Sequence, residues 1–356
     1  MRISACIIMR DAAEDIASCL ESLVGNVDEF VVVDTGSVDD SVEIASRYAG
    51  KVYTFEWQDD FSAAKNYAID QATGDWIIFL DADESLTQET RGNLRAVLSR
   101  CAAEPSPDII EALRFNVRTD TGEAESENWQ ERIFRRHPLL RYRDTIHEYL
   151  EFTDGREKQV LRLSPEELAI RHTGYSPERM AGKTERNLRM LEELREKGIE
   201  KKYLYYYLTG LYLHEEDYES ALETAWESVL RDERPPGEPF APHLTLWGLL
   251  DRQGDEEGIL RALRKCMEAW PKRPEAFALY GDRLQDRGEP GEAKRYLLRA
   301  LRNQREFSRN FPGEKSGLTA QLPQTMESLA KAMETLGDAA GARRYRRLAA
   351  KAAKQK

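Results

Sequence analysis

The chain is short of several things, and each shortage narrows what it can be. Its four cysteines, Cys6, Cys19, Cys101 and Cys266, are scattered, with none of the close spacing of a zinc cluster. That excludes a disulfide scaffold and fits reduced thiols in a cytosolic protein. No stretch approaches the roughly 20 apolar residues of a membrane span. The opening MRISACIIMRDAAED holds an apolar run too short for a secretory signal, and acids follow it at once. A cytoplasmic protein without a membrane span is therefore the expectation. Positive charge is in deficit as well. The formal net charge of −12 argues against broad binding to nucleic acid or anionic membrane. A phosphate-bearing ligand would need a local device, such as a metal ion or a few basic side chains.

What is present suits a soluble globular chain: 41% of residues are hydrophobic and 33% charged, and 356 residues are enough for two domains. Residues 1 to about 120 alternate short apolar strands with amphipathic helices. Strands are expected at Ile3–Met9, Glu29–Asp34, 51–55 and 75–80, and helices at 15–24, 41–48 and 62–71. Such alternation predicts an α/β fold with a mostly parallel sheet. In DWIIFLDADESL, Trp76 to Leu80 lacks polar alternation and reads as a strand buried on both faces. Asp81, Asp83 and Glu84 follow directly. Two carboxylates separated by one small residue suit a hard cation, since Mg²⁺ and Mn²⁺ prefer oxygen ligands. The structural alternative is an acidic turn that stops the strand and caps a helix beginning near Thr87. Asp34, in VVVDTGS, is a second aspartate at a strand's carboxyl end, where parallel sheets bind ligands. That coincidence favours the site.

From Tyr203 onward the pattern is helical throughout. The turn positions Glu216, Gly254, Gly288 and Gly337 are each followed five residues later by Ala221, Ile259, Ala293 and Ala342, where two helices must approach closely. Tyr205, Phe277 and Met326 occupy matching slots in the first helices, with His243 the exception. A period near 34 residues resembles tetratricopeptide repeats, which present a concave surface to a peptide or protein. The stretch NQREFSRNFPGEKSGLTAQL reads as an inserted loop before the fourth unit. A dimerisation or purely structural module is the alternative role. The expected domains are residues 1–195 and 196–356.

The run ISACIIMRDAAEDIASCLESL, DEFVVVDTGSVDDS, DFSAAKNYAI and GDWIIFLDADE resembles family-2 glycosyltransferases of the GT-A fold over about residues 1–175. Together with helical repeats, and with NWQERIFRR, YRDTIHEYL and IRHTGYSPERMAGKTERN downstream, it is most similar to bacterial transferases that modify peptides or proteins. The resemblance implies a nucleotide-sugar donor, a UDP-sugar in the first instance, and a divalent ion, Mn²⁺ or Mg²⁺. It implies that Asp83 binds the metal, that Asp81 meets the ribose or a metal-bound water and belongs to the same metal set, and that Asp34 accepts hydrogen bonds from the base. Lys65 stands where the family more often has arginine, which keeps the charge but not the bidentate geometry.

Inverting transfer needs a carboxylate near the acceptor to take its proton. Glu131 in WQERIFR lies where the family places that base, and its alternative role is a structural pair with a neighbouring arginine. Asp144 and Glu148 are the next candidates. His147 in IHEYL is the expected further metal ligand, with His172 in RHTGY second. Arg179, Lys183 and Arg186 share a helical arc that can meet the diphosphate or face solvent. The leading expectation is a metal-dependent inverting transferase acting on a protein or peptide side chain held by the repeats. A glycan acceptor such as a lipopolysaccharide core, and an inactive transferase–repeat scaffold, are the rivals. A homodimer is left open.

Overall fold

The computed structural model describes the chain except residues 103–105, 119–120, 174–176, 236–238, 311–316 and 355–356, together with the side chains of 177–181 and 317. It divides into two units, Met1–Leu194 and Arg195–Lys356.

The first unit follows the order β1 (Ile3–Met9), α1 (Ile16–Leu23), β2 (Glu29–Asp34), α2 (Ser41–Ser46), β3 (Val52–Thr54), α3 (Phe61–Gln71), β4 (Trp76–Asp81) and β5 (Glu84–Leu86). Then come α4 (Leu94–Cys101), β6 (Ile109–Val117), β7 (Ala124–Arg135), β8 (Leu140–Arg143), β9 (Tyr149–Phe152), β10 (Val160–Arg162), β11 (Ala169–His172) and α5 (Pro177–Glu196). Nine strands form one sheet, ordered β3-β2-β1-β4-β7-β6-β11-β5, with β10 beside β6. The β3-β2-β1-β4 half is parallel, and β7 enters antiparallel to both β4 and β6. All seven residues of β1 are buried. Alternate side chains of a strand go to opposite faces. Ile3, Ala5, Ile7 and Met9 accordingly join Ile16, Cys19, Leu20 and Leu23 of α1 in one core cluster. Cys6 and Ile8 join Ala64, Ala68 and Ile69 of α3 in another. Helices thus cover both faces of the parallel half, and the expected α/β architecture is observed.

The acidic run does not cap a helix directly, as the structural alternative would have it. The chain leaves Asp83 into β5, which pairs antiparallel with β11; the Thr87 carbonyl then accepts from the Arg91 N–H, and a 3₁₀ turn at Arg91–Asn93 leads into α4 at Leu94. The reason is at Glu84, whose fully buried carboxylate anchors the segment in the sheet rather than capping a helix.

The second unit is helical: α6 (Leu204–His214) with α7 (Tyr218–Leu230), α8 (Ala241–Gln253) with α9 (Glu256–Ala269), α10 (Pro274–Asp286) with α11 (Pro290–Asn310), and α12 (Gly317–Thr335) with α13 (Ala339–Ala353). The four anticipated turn residues, Glu216, Gly254, Gly288 and Gly337, all adopt left-handed backbone, with φ of 59°, 70°, 78° and 80°. After three of these turns an aspartate caps the next helix: Asp217, Asp255 and Asp338 accept from the backbone N–H of Ser220, Gly258 and Gly341. Ala221, Ile259, Ala293 and Ala342 are all buried, as close helix approach requires. The stretch read as an inserted loop is largely helix instead. α11 continues to Asn310 and α12 resumes at Gly317, because Asn303, Gln304 and Leu318 are buried and hold these turns in the core.

Candidate active site

The sheet brings two aspartates to one edge. Met9 lies opposite Asp34 and Ile8 opposite Asp81 in the register of β1 with β2 and β4, so the two acids flank the carboxyl end of the central strand. This crevice is where open parallel sheets bind ligands. Asp34 is buried, and its carboxylate accepts from the N–H groups of Gly36 and Ser37 at 3.1 Å. It thereby caps its own turn, for which Gly36 supplies a φ of 107°.

Asp81 sits in a ring of paired charges. Its Oδ1 accepts from Lys65 Nζ at 3.1 Å, and its Oδ2 is bound by Arg132. Lys65, on α3, is 2% exposed and also meets Glu148 at 2.7 Å. Its ammonium lies over the rings of Phe79 and Tyr142. Burial disfavours that charge, but Asp81 and Glu148 outweigh it and raise the lysine pKa. For Asp81 burial works toward protonation, and Arg132 and then Lys65 hold the carboxyl far below the usual range. Glu84 completes the ring: it binds Arg132 at 2.6 Å and Arg114 at 3.0 Å, and accepts from the Asp81 backbone N–H. Arg132 reaches both acids from a β-bulge, being the extra residue where β7 slips its register against β6. Asn66, next to Lys65, clasps the backbone of Tyr142 through both ends of its amide and so fixes α3 against β8.

Asp83 has a separate set of partners. Its Oδ2 lies 2.9 Å from Lys183 Nζ and 3.4 Å from His172 Nε2. His172 is buried on β11, and its Nδ1 is 2.9 Å from Asn116 Oδ1, while Asn116 Nδ2 donates to Ser126. The amide oxygen can only accept, so Nδ1 carries a proton and Nε2 is the nitrogen turned to Asp83. Burial again favours the neutral acid, yet His172 and then Lys183 pull the Asp83 pKa well below the ordinary carboxylate value.

The three side chains expected as metal ligands are not gathered. Asp81 is held by Lys65 and Arg132, and His147 is exposed on the loop between β8 and β9 with a left-handed φ of 53°. The imidazole beside Asp83 is that of His172. Among the described residues no group of three or more His, Cys, Asp or Glu stands ready to hold a metal. Asp83 Oδ2 and His172 Nε2 nevertheless offer one oxygen and one nitrogen donor, with the second ring nitrogen fixed by a hydrogen bond, as histidine ligands usually are. Such a pair fits a cation that takes its remaining ligands from a bound phosphate and water.

Of the arginines and lysine on α5, the Arg179 side chain lies outside the described residues. Arg186 is half-buried over the Phe61 ring and donates to Asn187, with no ion pair among the described residues. Burial lowers its pKa; the nearby carboxylates Glu148 and Asp59 offset this in part, and Arg189 and Arg10 add to the lowering, so the net result is a desolvated cation held below its ordinary value. Glu131 gives both carboxylate oxygens to Lys158, at 2.7 and 2.9 Å. Its structural partner is thus a lysine rather than the arginine that adjoins it.

Residues 4–149 match the family model described as glycosyl transferase family 2. A TPR repeat-containing protein of Synechococcus elongatus is 34% identical over 314 residues, covering 82% of this chain and 73% of that protein. The chain belongs to glycosyl transferase family 2. It is a glycosyltransferase domain joined to TPR-like repeats. The prophage-derived glycosyltransferase SunS of Bacillus subtilis is 29% identical over 233 residues, covering 64% of this chain and 53% of SunS, so the chain spans about half the length of that relative. Among solved structures, residues 1–349 of S. aureus TarS align with 87% of this chain and 91% of their own at 17% identity, with a TM-score of 0.37. For this family-2 transferase, Arg132, Glu84 and Asn116 are the site residues that sequence reading did not single out for a role. Glu84 was visible as the third acid of DADE. Arg132 and Asn116 carried no signal, because their partners lie far away in the chain.

Proposed function

We propose that the chain is a metal-dependent inverting transferase that moves a sugar from a UDP-sugar to a protein or peptide side chain. The observation that carries this reading is the pairing of Asp83 Oδ2 with His172 Nε2, next to Lys183 on the helix that also carries the desolvated Arg186. When bound, a divalent ion would supply Lewis-acid stabilisation to the departing diphosphate. Asp83 and His172 would hold it. Lys183 and Arg186 orient the diphosphate by charge-assisted hydrogen bonds. Asp34, beside the turn it caps, meets the base. Asp81 is oriented by Lys65 and Arg132 toward the ribose rather than used as a bare ligand. Glu131 can serve as base only after Lys158 releases it.

The repeats bind the acceptor in this reading, as TPR arrays bind peptides on their concave faces. The deciding experiment is intact-mass analysis of candidate protein and peptide acceptors after incubation with a panel of nucleotide-sugars and Mn²⁺. A mass increase of one sugar, dependent on the metal, is the expected result. Transfer to glycans alone, or no turnover of any donor, overturns the acceptor assignment or the activity respectively.

A further inference from the structure

Two lysines of the first unit neutralise the two aspartates of the acid motif, and they do so in different ways. Lys65 is 2% exposed and fixed between Asp81 and Glu148. Lys183 is 37% exposed, and its Nζ lies 2.9 Å from the same Asp83 oxygen that faces His172. With its lysine end at that exposure, and Asp83 itself 18% exposed, this pair can open to solvent far more readily than the one at Lys65.

We propose that Lys183 is a placeholder cation. It neutralises Asp83 until a divalent ion and donor arrive, then yields the carboxylate and passes its ammonium to the diphosphate. This rests on the metal reading given above. The geometry also argues against a lysine that replaces the metal permanently. Such a lysine would leave no use for an imidazole turned to the same oxygen, with its other nitrogen fixed by Asn116 and that amide fixed in turn by Ser126. Competition at Asp83 and attraction at the diphosphate together make the ion and the nucleotide bind cooperatively, each tightening the other by the same factor.

The test is Mn²⁺ binding to the full chain, read from the free-ion electron paramagnetic resonance signal, with and without UDP. Without nucleotide, Lys183→Gln should bind Mn²⁺ about two- to five-fold more tightly than wild type, the worth of a partly exposed ion pair. It should also lose much of the tightening that UDP confers, whereas Lys183→Arg, which keeps the charge, should retain the wild-type pattern. Unchanged or weaker Mn²⁺ binding by Lys183→Gln, with Asp83→Asn still abolishing it, overturns the placeholder alone. If wild type binds no Mn²⁺ even with UDP, the metal reading fails together with it.

Discussion

Lys65 Nζ and Asp81 Oδ1 meet at 3.1 Å, the lysine sealed beneath the sheet edge and the aspartate a third exposed at the crevice. The pair links a helix to the strand end that carries the acid motif. Removing Lys65 leaves Asp81 with Arg132 but takes the cation from the largely buried Glu148, and breaking a buried pair typically costs about 3–5 kcal/mol. Lys65→Met should therefore lower the stability of the transferase unit by about that amount, measured by urea denaturation of the full chain. A loss below about 1 kcal/mol would mean that Glu148 and Asp81 are satisfied by Arg132 and water alone.

Asp83→Asn tests the opposite property. The residue packs no core, so the melting temperature should stay near that of wild type. Turnover should fall by roughly two to four orders of magnitude, the usual worth of a major electrostatic stabiliser. A folded Asp83→Asn protein that transfers sugar at the wild-type rate removes Asp83 from the mechanism.

Glu131→Gln separates a base from a strut. Loss of a positioned base costs on the order of 10² to 10⁴ in rate while donor binding survives. If the carboxylate only pairs with Lys158, the variant should instead melt earlier and keep most of its activity. Steady-state transfer kinetics beside a thermal melt distinguish the two. A serine or threonine acceptor makes the first loss larger than a cysteine acceptor, whose thiol is already partly ionised near neutral pH.

His243 gives the repeats a defined pH response. It is buried among Phe240 and Trp247, and burial pushes its pKa down to about 4 from 6.5. The unfolded chain takes up a proton near pH 6.5 and the folded chain does so only near 4, so stability is full above 6.5 and falls as pH drops between these values. The loss reaches about 3 kcal/mol at the acid end. His243→Phe should flatten this part of the curve. An identical pH profile in the variant would assign the acid sensitivity to other groups.

Glu216 holds the turn conformation that Gly254, Gly288 and Gly337 adopt without a side chain. Left-handed backbone costs a non-glycine residue roughly 1–2 kcal/mol. Glu216→Gly should raise the stability of the repeats by up to about 1 kcal/mol once chain entropy is counted. A lower melting temperature would show that the Glu216 side chain has a stabilising contact of its own.

The legible parts of this molecule were the ones encoded locally. Apolar runs ending in Asp34 and Asp81 announced buried strands and a ligand-facing edge, and the periodic turns announced the repeats. The partners of those acids were not legible, because no local pattern says that Arg132 enters through a bulge or that His172, rather than His147, arrives on β11 beside Asp83. The same limit explains residues 303–310. Their polar composition looks like loop, whereas Asn303 and Gln304 are buried and Phe307, on the same helix, packs under the Arg273 guanidinium.

The separation of these charges along the chain has a consequence for how the protein is made. Asp81 is followed by Arg132 only 51 residues later, and Asp83 by Lys183 only 100 residues later. During synthesis the acids therefore emerge well before most of the cations that neutralise them, and at 5–20 residues per second the wait lasts from a few seconds to about twenty. Until β7, β11 and α5 follow, Asp81, Asp83 and Glu84 lack Arg132, His172 and Lys183, and the core around β4 still lacks Ile133, Phe134, Leu168 and Ile170. The charge ring at the carboxyl end of the central strands is therefore completed only when these later elements arrive, and a ribosome-bound chain stopped near residue 120 should hold a sheet edge that is open, strongly acidic and attractive to free divalent ions.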